Sequence, residues 1–413
     1  MMLYGLIGKP LCHSFSREIH SLIADYDYEL KELDKDEIEP FLRAREFNAI
    51  NVTIPYKQTV MPYLDFISDE AKSIGAVNTI VKKGGKLFGY NTDFAGMRAL
   101  ILKNGISMLG KKVLVLGTGG TCKTACAVAK SLGAKQIVVV SRKEKDGAVT
   151  YETALREHCD AQIIVNATPV GMYPDVNSTP IDVSAFSNLQ GVVDAIYNPL
   201  CTNLVLDSKK AGAIATGGLY MLVAQAVYAS ALFLSKQADY GAVDEVFDEI
   251  LARKRNVVLV GMPSCGKTTV GKRFADMLGR EFADTDEMIV GRIGTSIADF
   301  FATHGEKEFR AIEREVVAEC AKRSGIVIAT GGGVVLDDEN VKALKRNGIV
   351  TFLDRPLEKL LATSDRPLSS SAEKVKDLYA QRYDKYRACA DVRIDASASV
   401  AQVADEIRRK IGL

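Results

Sequence analysis

Two glycine-rich stretches decide the fold, and the first reads Val113-Leu114-Val115-Leu116-Gly117-Thr118-Gly119-Gly120-Thr121. The second reads Val257-Val258-Leu259-Val260-Gly261-Met262-Pro263-Ser264-Cys265-Gly266-Lys267-Thr268. Each begins with an apolar strand and ends in a glycine loop, so each predicts a strand–loop–helix unit that binds phosphate groups at the helix N-terminus. Two such units in one chain indicate two α/β segments with separate ligands.

The two loops differ in charge. A dinucleotide loop holds pyrophosphate through backbone N–H groups and needs no lysine, which fits the first loop. The second fits the full P-loop pattern, with Lys267 for the outer phosphates and Thr268 for Mg²⁺. The residues expected to contact nucleotide here are Gly117, Thr118, Gly119, Gly120 and Thr121, then Gly261, Pro263, Ser264, Cys265, Gly266, Lys267, Thr268 and Thr269. The chain thus indicates a redox cofactor and a triphosphate, as in two enzymes joined end to end.

Composition agrees with an ordinary enzyme. The length of 413 residues favours two or three domains, and 47% hydrophobic residues suffice for their cores. A net charge of +1 without long charged blocks argues against nucleic acid or an anionic membrane as partner. The eight scattered cysteines favour free thiols and a cytoplasmic location. The most apolar stretch, 220–234, contains Gln225 and is too short to span a bilayer. Nothing in the sequence requires a homodimer or excludes one.

Strand-like and helix-like segments alternate throughout, which predicts parallel sheets with crossover helices. The predicted strands are 3–7, 50–54, 113–116, 136–141, 163–166, 191–196, 257–260, 325–330 and 349–353. An acidic-apolar helix over 244–251 runs into a basic pentamer, 252–256, which we interpret as a solvated linker. The domains expected are therefore 1–252 and 255–413. In the first, a substrate lobe (about 1–100 and 225–252) and a cofactor lobe (about 101–224) are joined by a helix over 91–111.

Five polar clusters precede residue 230, at the ends of strands or the starts of helices, and they span residues 8–16, 51–57, 75–79, 91–93 and 221–225. They contain hydroxyl, amide and charged side chains, as the lining of a site for a polyhydroxylated acid would. Lys57 and Asp93 are the charged pair among them. A lysine held by an aspartate can deliver a proton to an oxygen that gains charge as hydride arrives. A purely structural ion pair is the alternative that the residues alone leave open.

Together these clusters resemble shikimate dehydrogenase, over about residues 1–252. The resemblance implies an N-terminal α/β substrate lobe with a Rossmann-like NADP-binding lobe. It implies that Lys57 and Asp93 are catalytic and that the substrate is bound by Ser14, Ser16, Thr53, Asn78, Thr92 and Gln225. The residues that it places at the nicotinamide end of the cofactor site are Asn166, Thr168, Tyr197, Gly218 and Met221.

The residues at the end of the second strand of the cofactor lobe indicate whether NAD or NADP is bound. An NAD enzyme usually places an acidic side chain there, on the ribose 2′-hydroxyl. Here the strand runs into Ser141, Arg142 and Lys143, which suit a 2′-phosphate. The sequence therefore predicts NADP(H), although exposed basic residues on an ordinary loop would look the same.

Two features depart from the dehydrogenase pattern. The stretch from Arg142 to Asn166 is short, with room for one clear helix over 151–158. Tyr220 stands where a small residue near the nicotinamide would be usual. Both features put cofactor affinity in question without removing a catalytic group.

The second segment carries further motifs beyond its P-loop, at residues 282–286, 305–313, 330–333, 365–368 and 382–386. Together with the P-loop they resemble shikimate kinase over about residues 255–413. The resemblance implies a P-loop α/β domain of the nucleoside-monophosphate kinase type that binds ATP and Mg²⁺. It places Lys267 on the outer phosphates, and Thr268 and Asp284 at the metal. Asp286 would orient the attacking hydroxyl. The residues implied to bind shikimate are Asp286, Arg310, Gly331, Gly332, Gly333 and Arg382.

The lid of this kinase is unusual in its charge. Arg366 matches the lid arginine that neutralises the transferring phosphoryl group and contacts the nucleotide. A second lid arginine, frequent in the family, is missing from 360–365, where Lys359 is the nearest cation. Arg310 and Glu313 lie three residues apart on a predicted helix, where they form either a surface ion pair or part of the site.

The two assignments support each other, because the product of the first reaction is the substrate of the second. The expected activities are the reduction of 3-dehydroshikimate to shikimate with NADPH, and the phosphorylation of shikimate to shikimate 3-phosphate with ATP. An NAD-dependent quinate/shikimate dehydrogenase is one alternative. A kinase-like regulatory module with weak activity is the other.

Overall fold

The computed structural model describes residues 3–11, 14–145, 147–360 and 372–413. The chain divides into two compact units, Met1–Ile250 and Leu251–Leu413. Among the described residues, no helix combines the length and the apolar character needed to cross a membrane. The α/β class is confirmed, with three sheets along the chain.

The first sheet builds the substrate lobe from six strands in the order β2-β1-β3-β5-β6-β4. The elements are β1 (Tyr4–Gly8), α1 (Ser16–Ile23), β2 (Tyr28–Glu32), α2 (Ile38–Ala44), β3 (Ala49–Val52), β4 (Phe66–Ile67), α3 (Asp69–Ile74), β5 (Thr79–Lys83) and β6 (Lys86–Tyr90). Strand β5 runs antiparallel to both β3 and β6, so this sheet is mixed where we predicted a parallel one. Gly84 and Gly85 make the tight β5–β6 turn with φ of 56° and 75°, the left-handed geometry that a two-residue hairpin favours.

The second sheet builds the cofactor lobe, with six parallel strands in the order β12-β11-β10-β7-β8-β9. After helix α4 (Thr92–Lys103) come β7 (Lys112–Leu116), α5 (Gly120–Ser131), β8 (Gln136–Ser141), β9 (Val149–Thr150), α6 (Tyr151–Glu157), β10 (Ile163–Asn166), β11 (Gly191–Asp194), α7 (Asn203–Lys210) and β12 (Ile214–Thr216). Helices α8 (Leu219–Phe233) and α9 (Gly241–Lys254) close the unit. The single helix predicted between Arg142 and Asn166 is α6.

The third sheet has five parallel strands in the order β14-β15-β13-β16-β17. Its elements are β13 (Asn256–Val260), α10 (Lys267–Leu278), β14 (Phe282–Asp284), α11 (Thr285–Ile293), α12 (Ile297–Ala321), β15 (Val327–Ala329), α13 (Asp338–Asn347), β16 (Gly348–Asp354), α14 (Ala372–Cys389), β17 (Val392–Asp395) and α15 (Val400–Ile411). Strand β13 is buried along its whole length, as a central strand covered on both faces must be. The P-loop follows its C-terminal end.

Two predictions about connections are wrong. Helix α4 ends at Lys103, eight residues before the predicted end of the connecting helix. The basic pentamer is not a solvated linker, because α9 continues to Lys254 and β13 begins at the fully buried Asn256. Between them, Arg255 donates a hydrogen bond to the carbonyl of Ile411 at 2.8 Å. The charge of the pentamer suggested that it would be exposed to solvent as a linker. Helix propensity and backbone pairing determine its observed structure instead.

Candidate active sites

The predicted dehydrogenase pair is formed. Lys57 Nζ lies 2.7 Å from Asp93 Oδ2, and the two side chains are only 15% and 8% exposed. Asp93 sits in the first turn of α4, which Asn91 caps by accepting a hydrogen bond from the backbone N–H of Phe94. Because the pair is largely shielded from water, the lysine ammonium and the carboxylate interact more strongly than a surface pair would.

Three of the predicted substrate-binding side chains meet in one buried cluster. The amide nitrogen of Asn78 donates to Thr92 Oγ1 at 3.0 Å and to Gln225 Oε1 at 3.4 Å. The Asn78 oxygen accepts from the backbone N–H of Thr92 at 2.7 Å and from the hydroxyl of Thr79 at 3.0 Å. The oxygen is therefore fully engaged, and this fixes the orientation of the amide. A substrate hydroxyl bound by Asn78 would therefore replace one of these hydrogen bonds, of which the 3.4 Å bond to Gln225 is the longest.

The two predicted carboxylate-binding serines lie just before and at the start of α1. The Ser14 hydroxyl donates to Ser16 Oγ at 3.0 Å and accepts from the Ser16 backbone N–H at 3.2 Å. Tyr197, expected at the cofactor, also reaches this end, with its ring 5.2 Å from that of Phe15. Burial raises the pKa of Tyr197, and a hydrogen bond from Ser14 opposes that rise. Tyr197 therefore lies beside the predicted carboxylate-binding serines at the start of α1.

The dinucleotide loop turns at Gly117, whose φ is 112°. A side chain there would meet the carbonyl of Ala167 at 3.1 Å, whereas Gly119 has open space around it. A Cβ on Gly120 would lie 3.6 Å from the Cβ of Lys57. The N-terminus of α5 thus lies against Lys57 of the predicted catalytic pair.

The ribose end of the cofactor lobe is basic and open. Arg142 and Lys143 are exposed immediately after β8. Ser141 is engaged locally, because its hydroxyl donates to the Lys143 carbonyl and accepts from the Lys143 N–H. The two cations are therefore available to an anionic ligand, and the serine shapes the turn that presents them.

The predicted nicotinamide-end residues sit on adjacent strand ends. Asn166 Oδ1 accepts from the N–H and the hydroxyl of Thr168 at 3.0 and 2.7 Å. Gly218 is required sterically, since a Cβ there would lie 2.2 Å from the carbonyl of Ala195. Met221 is buried at the start of α8. We did not predict Asp194, a fully buried carboxylate beside Asn166, although a charged residue ending an apolar strand was a visible signal.

Tyr220 does not occupy the nicotinamide end. Its hydroxyl donates to Asp244 Oδ1 at 2.8 Å, and its ring packs edge-on against Phe247 of α9. Lys103 pairs with the same carboxylate at 2.9 Å. The Tyr220 side chain therefore points to α9, and its effect on cofactor affinity stays a prediction.

The P-loop of the second unit holds its lysine tightly. Lys267 is 6% exposed, and its ammonium donates to the carbonyls of Gly261 and Met262, each at 2.9 Å. Cys265 Sγ lies 3.9 Å from the same nitrogen. Ser264 adopts a left-handed backbone conformation, with φ of 65°, in which glycine would be unstrained.

The predicted metal-site oxygens lie together. Thr268 Oγ1 donates to Asp284 Oδ2 at 2.7 Å. The other Asp284 oxygen caps α11 by accepting from the Asp286 N–H at 2.9 Å. A hydroxyl and a carboxylate oxygen are the hard donors that Mg²⁺ prefers, so the residues fit this ion.

All of the described residues predicted to bind shikimate converge near the P-loop. A Cβ on Gly331 would meet Asp286 Oδ1 at 2.5 Å, and one on Gly333 would meet the Arg310 guanidinium at 2.3 Å. Arg382 Nη1 donates to the Gly332 carbonyl at 3.0 Å. Gly331 and Gly333 therefore permit close approach of the Asp286 carboxylate and the Arg310 guanidinium, and the Gly332 carbonyl holds Arg382.

Glu313 belongs to this site. Its carboxylate accepts from Arg310 Nη1 at 2.8 Å and is only 2% exposed, so the surface ion pair considered from the sequence is wrong. Burial raises the pKa of Glu313, and the charge of Arg310 opposes the rise. Arg366 lies outside the described residues, and Lys359 ends a short 3₁₀ helix just before that gap.

Comparisons with known proteins match both units. A family model described as shikimate dehydrogenase substrate binding domain matches residues 6–80, and one described as shikimate kinase matches residues 263–412. A shikimate dehydrogenase (NADP(+)) of Clostridium beijerinckii is 39% identical over 254 residues, which are 58% of this chain and 94% of that protein.

Solved structures agree over the first unit. Shikimate dehydrogenase 1 from Peptoclostridium difficile is 36% identical with a TM-score of 0.57, covering 60% of this chain and 98% of that one. The Thermus thermophilus shikimate 5-dehydrogenase, solved in complex with NADP(H) and shikimate, is 29% identical with a TM-score of 0.54, covering 60% and 99%. The chain therefore belongs to the shikimate dehydrogenase family, and a shikimate kinase domain follows the dehydrogenase unit in the same chain.

Proposed function

We propose that this bifunctional enzyme reduces 3-dehydroshikimate with NADPH at the Lys57–Asp93 pair and then phosphorylates the shikimate formed in its kinase unit. The observation that carries the proposal is the shielded 2.7 Å ion pair beside the dinucleotide loop. The functional units are residues 1–252 and 255–413, which the division into compact units at Ile250 and Leu251 supports.

In the dehydrogenase, Lys57 donates a proton to the carbonyl oxygen as it becomes a hydroxyl, and Asp93 holds the ammonium in place. NADPH, when bound, supplies the hydride. The ring and its hydroxyls are bound by Thr53, Asn78, Thr92 and Gln225. Ser14 and Ser16 bind the substrate carboxylate.

NADP is preferred over NAD because Arg142 and Lys143 are exposed where the 2′-phosphate would lie, and no acidic residue stands at 141–143. A quinate dehydrogenase from Corynebacterium glutamicum, solved in complex with NAD, is 27% identical with a TM-score of 0.52. That likeness keeps an NAD-dependent quinate activity as the alternative, and the two exposed cations count against it.

In the kinase, Lys267 binds the outer phosphates of ATP, and Thr268 and Asp284 hold Mg²⁺. Asp286 orients the shikimate hydroxyl for attack. Arg310 and Arg382 bind the carboxylate, for which a planar guanidinium donor is well suited. The demand for both NADPH and ATP supports a cytoplasmic location.

A coupled assay tests the whole proposal. 3-Dehydroshikimate, NADPH and ATP should yield NADP⁺ and ADP in sequence, and omission of NADPH should abolish both products. Lys57→Ala should slow NADPH oxidation roughly 10²–10⁴-fold and leave phosphorylation of added shikimate unchanged. Lys72→Ala, an exposed lysine of the same lobe, is the matched control. Phosphorylation that remains negligible with added shikimate would favour the regulatory module instead.

A further inference from the structure

A buried carboxylate lies at the end of the cofactor sheet. Asp194 ends β11, is fully buried, and stands in register with Asn166 at the end of β10. Its Oδ1 accepts from the Asn166 side-chain amide and from the Ile196 backbone N–H, both at 3.0 Å. Its Oδ2 accepts from the Thr202 hydroxyl at 2.7 Å. Among the described residues, no positively charged side chain interacts with the Asp194 carboxylate.

The first of these hydrogen bonds sets the orientation of an amide. Because the Asn166 nitrogen faces Asp194, its oxygen must face Thr168, and it accepts there from both the N–H and the hydroxyl. The turn that results carries Ala167, whose carbonyl lies against Gly117 of the dinucleotide loop. An amide turned the other way would place its nitrogen against two donors.

The other two hydrogen bonds fix neighbouring segments. The bond from the Ile196 N–H holds the backbone immediately before Tyr197. Thr202, held by the second carboxylate oxygen, caps α7 by accepting from the Val205 N–H at 3.3 Å. One side chain therefore joins the 166–168 turn, the 195–197 turn and a helix N-terminus.

We propose that Asp194 is a positioning residue for the nicotinamide end of the cofactor site, through its hydrogen bonds to Asn166, Ile196 and Thr202. This inference rests on the proposed roles of Asn166, Thr168 and Tyr197. Asp194 does not touch the ligand; it holds the groups that do. A residue that accepts three hydrogen bonds cannot be replaced by an apolar side chain without leaving buried donors unpaired.

Two substitutions separate hydrogen bonding from charge. Asp194→Ala removes all three acceptors. Asp194→Asn retains an oxygen for Asn166 and Ile196, and its nitrogen can donate to the Thr202 hydroxyl. Asp182→Ala is the matched control, because Asp182 is an exposed aspartate of the same lobe that also accepts from a backbone N–H, that of Ser184.

The readout is the Kd of NADPH in the full-length chain, from the fluorescence of the bound cofactor, with calorimetry to follow folding. Asp194→Ala should weaken NADPH binding roughly tenfold or more, while Asp194→Asn and Asp182→Ala stay within about threefold of wild type. The KM for 3-dehydroshikimate should change less than the Kd for NADPH. An unchanged Kd in folded Asp194→Ala overturns the inference, and so does an equal loss in Asp194→Asn.

Thr202→Val keeps the test decisive if Asp194→Ala does not fold. It removes the 2.7 Å hydrogen bond to the carboxylate and the 3.3 Å hydrogen bond from the Val205 N–H, so that the carboxylate can turn, and NADPH binding should still weaken measurably. Unchanged binding in Thr202→Val would then overturn the inference. A wild-type chain that neither binds NADPH nor reduces 3-dehydroshikimate would refute the proposed function itself, which is a different result.

Discussion

The two phosphate-binding loops use different means to hold similar groups. In the dehydrogenase loop, Gly119 leaves open space before α5, and the loop contains no cation. In the kinase loop, Lys267 is buried and bonded to two carbonyls of its own loop. The ligand explains the difference, since a pyrophosphate diester carries less charge than a triphosphate. Backbone N–H groups and a helix N-terminus suffice for the first, whereas the second needs a fixed cation.

The largest expected effect tests this comparison directly. Lys267→Ala should reduce shikimate phosphorylation roughly 10²–10³-fold, the cost of losing one preorganised charge-stabilising donor. NADPH oxidation by the same preparation should be unchanged. Lys272→Ala, an exposed lysine of the same helix paired with Glu287, is the control and should retain both rates. If Lys267→Ala also abolishes reduction in a folded chain, the loops do not serve independent sites.

Each unit also buries a carboxylate near its site, and the two differ in their partners. Burial raises the pKa of Asp194 from 3.8 to about 6. Burial also raises the pKa of Glu313, but the positive charge of Arg310 opposes that rise. A raised pKa means that the folded state binds the proton more tightly. The stability that Asp194 contributes is therefore full below about pH 4 and is lost as the pH rises through about 6.

Neutralising the Asp194 and Glu313 carboxylates should therefore have different effects on stability. At pH 7.5, Asp194→Asn should be more stable than wild type by up to about 3 kcal/mol, and this advantage should shrink as the pH falls toward 5. Glu313→Gln should gain nothing, because it leaves the Arg310 charge without its partner. The measurement is unfolding by calorimetry or denaturant across this pH range. A pH-independent difference between Asp194→Asn and wild type would contradict the buried-anion interpretation.

The next effect concerns the ribose end of the cofactor lobe. The first loop has no cation, so Arg142 and Lys143 after β8 supply the positive charge expected at the cofactor. Arg142→Ala should raise the KM for NADPH about tenfold, the lower end for a charge-assisted contact because the side chain is exposed. The KM for NADH should hardly move. Arg156→Ala removes an exposed arginine of the same lobe and serves as the control. Equal changes for both cofactors would show that Arg142 does not recognise the 2′-phosphate.

Sequence reasoning succeeded where local pattern and site chemistry coincide. The apolar strands before both loops, the Lys57–Asp93 pair and the convergence of Asp286, Arg310 and Arg382 all formed as predicted. Sequence reasoning failed where residues far apart in the chain determine the structure. The mixed first sheet depends on pairing across the chain, although Gly84-Gly85 was a readable hairpin signal.

Two further failures concern burial. The Asp194 contacts depend on three segments that meet only in the folded sheet, and Glu313 lies against Gly331, in the loop that follows β15. Periodicity reports which face of a helix or strand is apolar. It does not report that a charged residue lies in the interior.

The smallest expected effect lies in the backbone of the two loops. The dehydrogenase loop places glycine at its left-handed position, Gly117, whereas the kinase loop places Ser264 at one of its own, with φ of 65°. A side chain in that conformation costs about 1–2 kcal/mol, and glycine loses roughly 0.5–1 kcal/mol more chain entropy on folding. Ser264→Gly should therefore stabilise the kinase unit by about 0.5–1 kcal/mol, or a rise of roughly 1–4 °C in its Tm. Ser264→Ala is the matched control, since it removes the hydroxyl but keeps the Cβ, and it should bring no gain. If Ser264→Ala stabilises the unit as much as Ser264→Gly, the hydroxyl is the unfavourable group. If neither substitution stabilises it, contacts of the loop compensate for the left-handed backbone at Ser264. The two loops would then carry no difference in backbone strain despite their different residues.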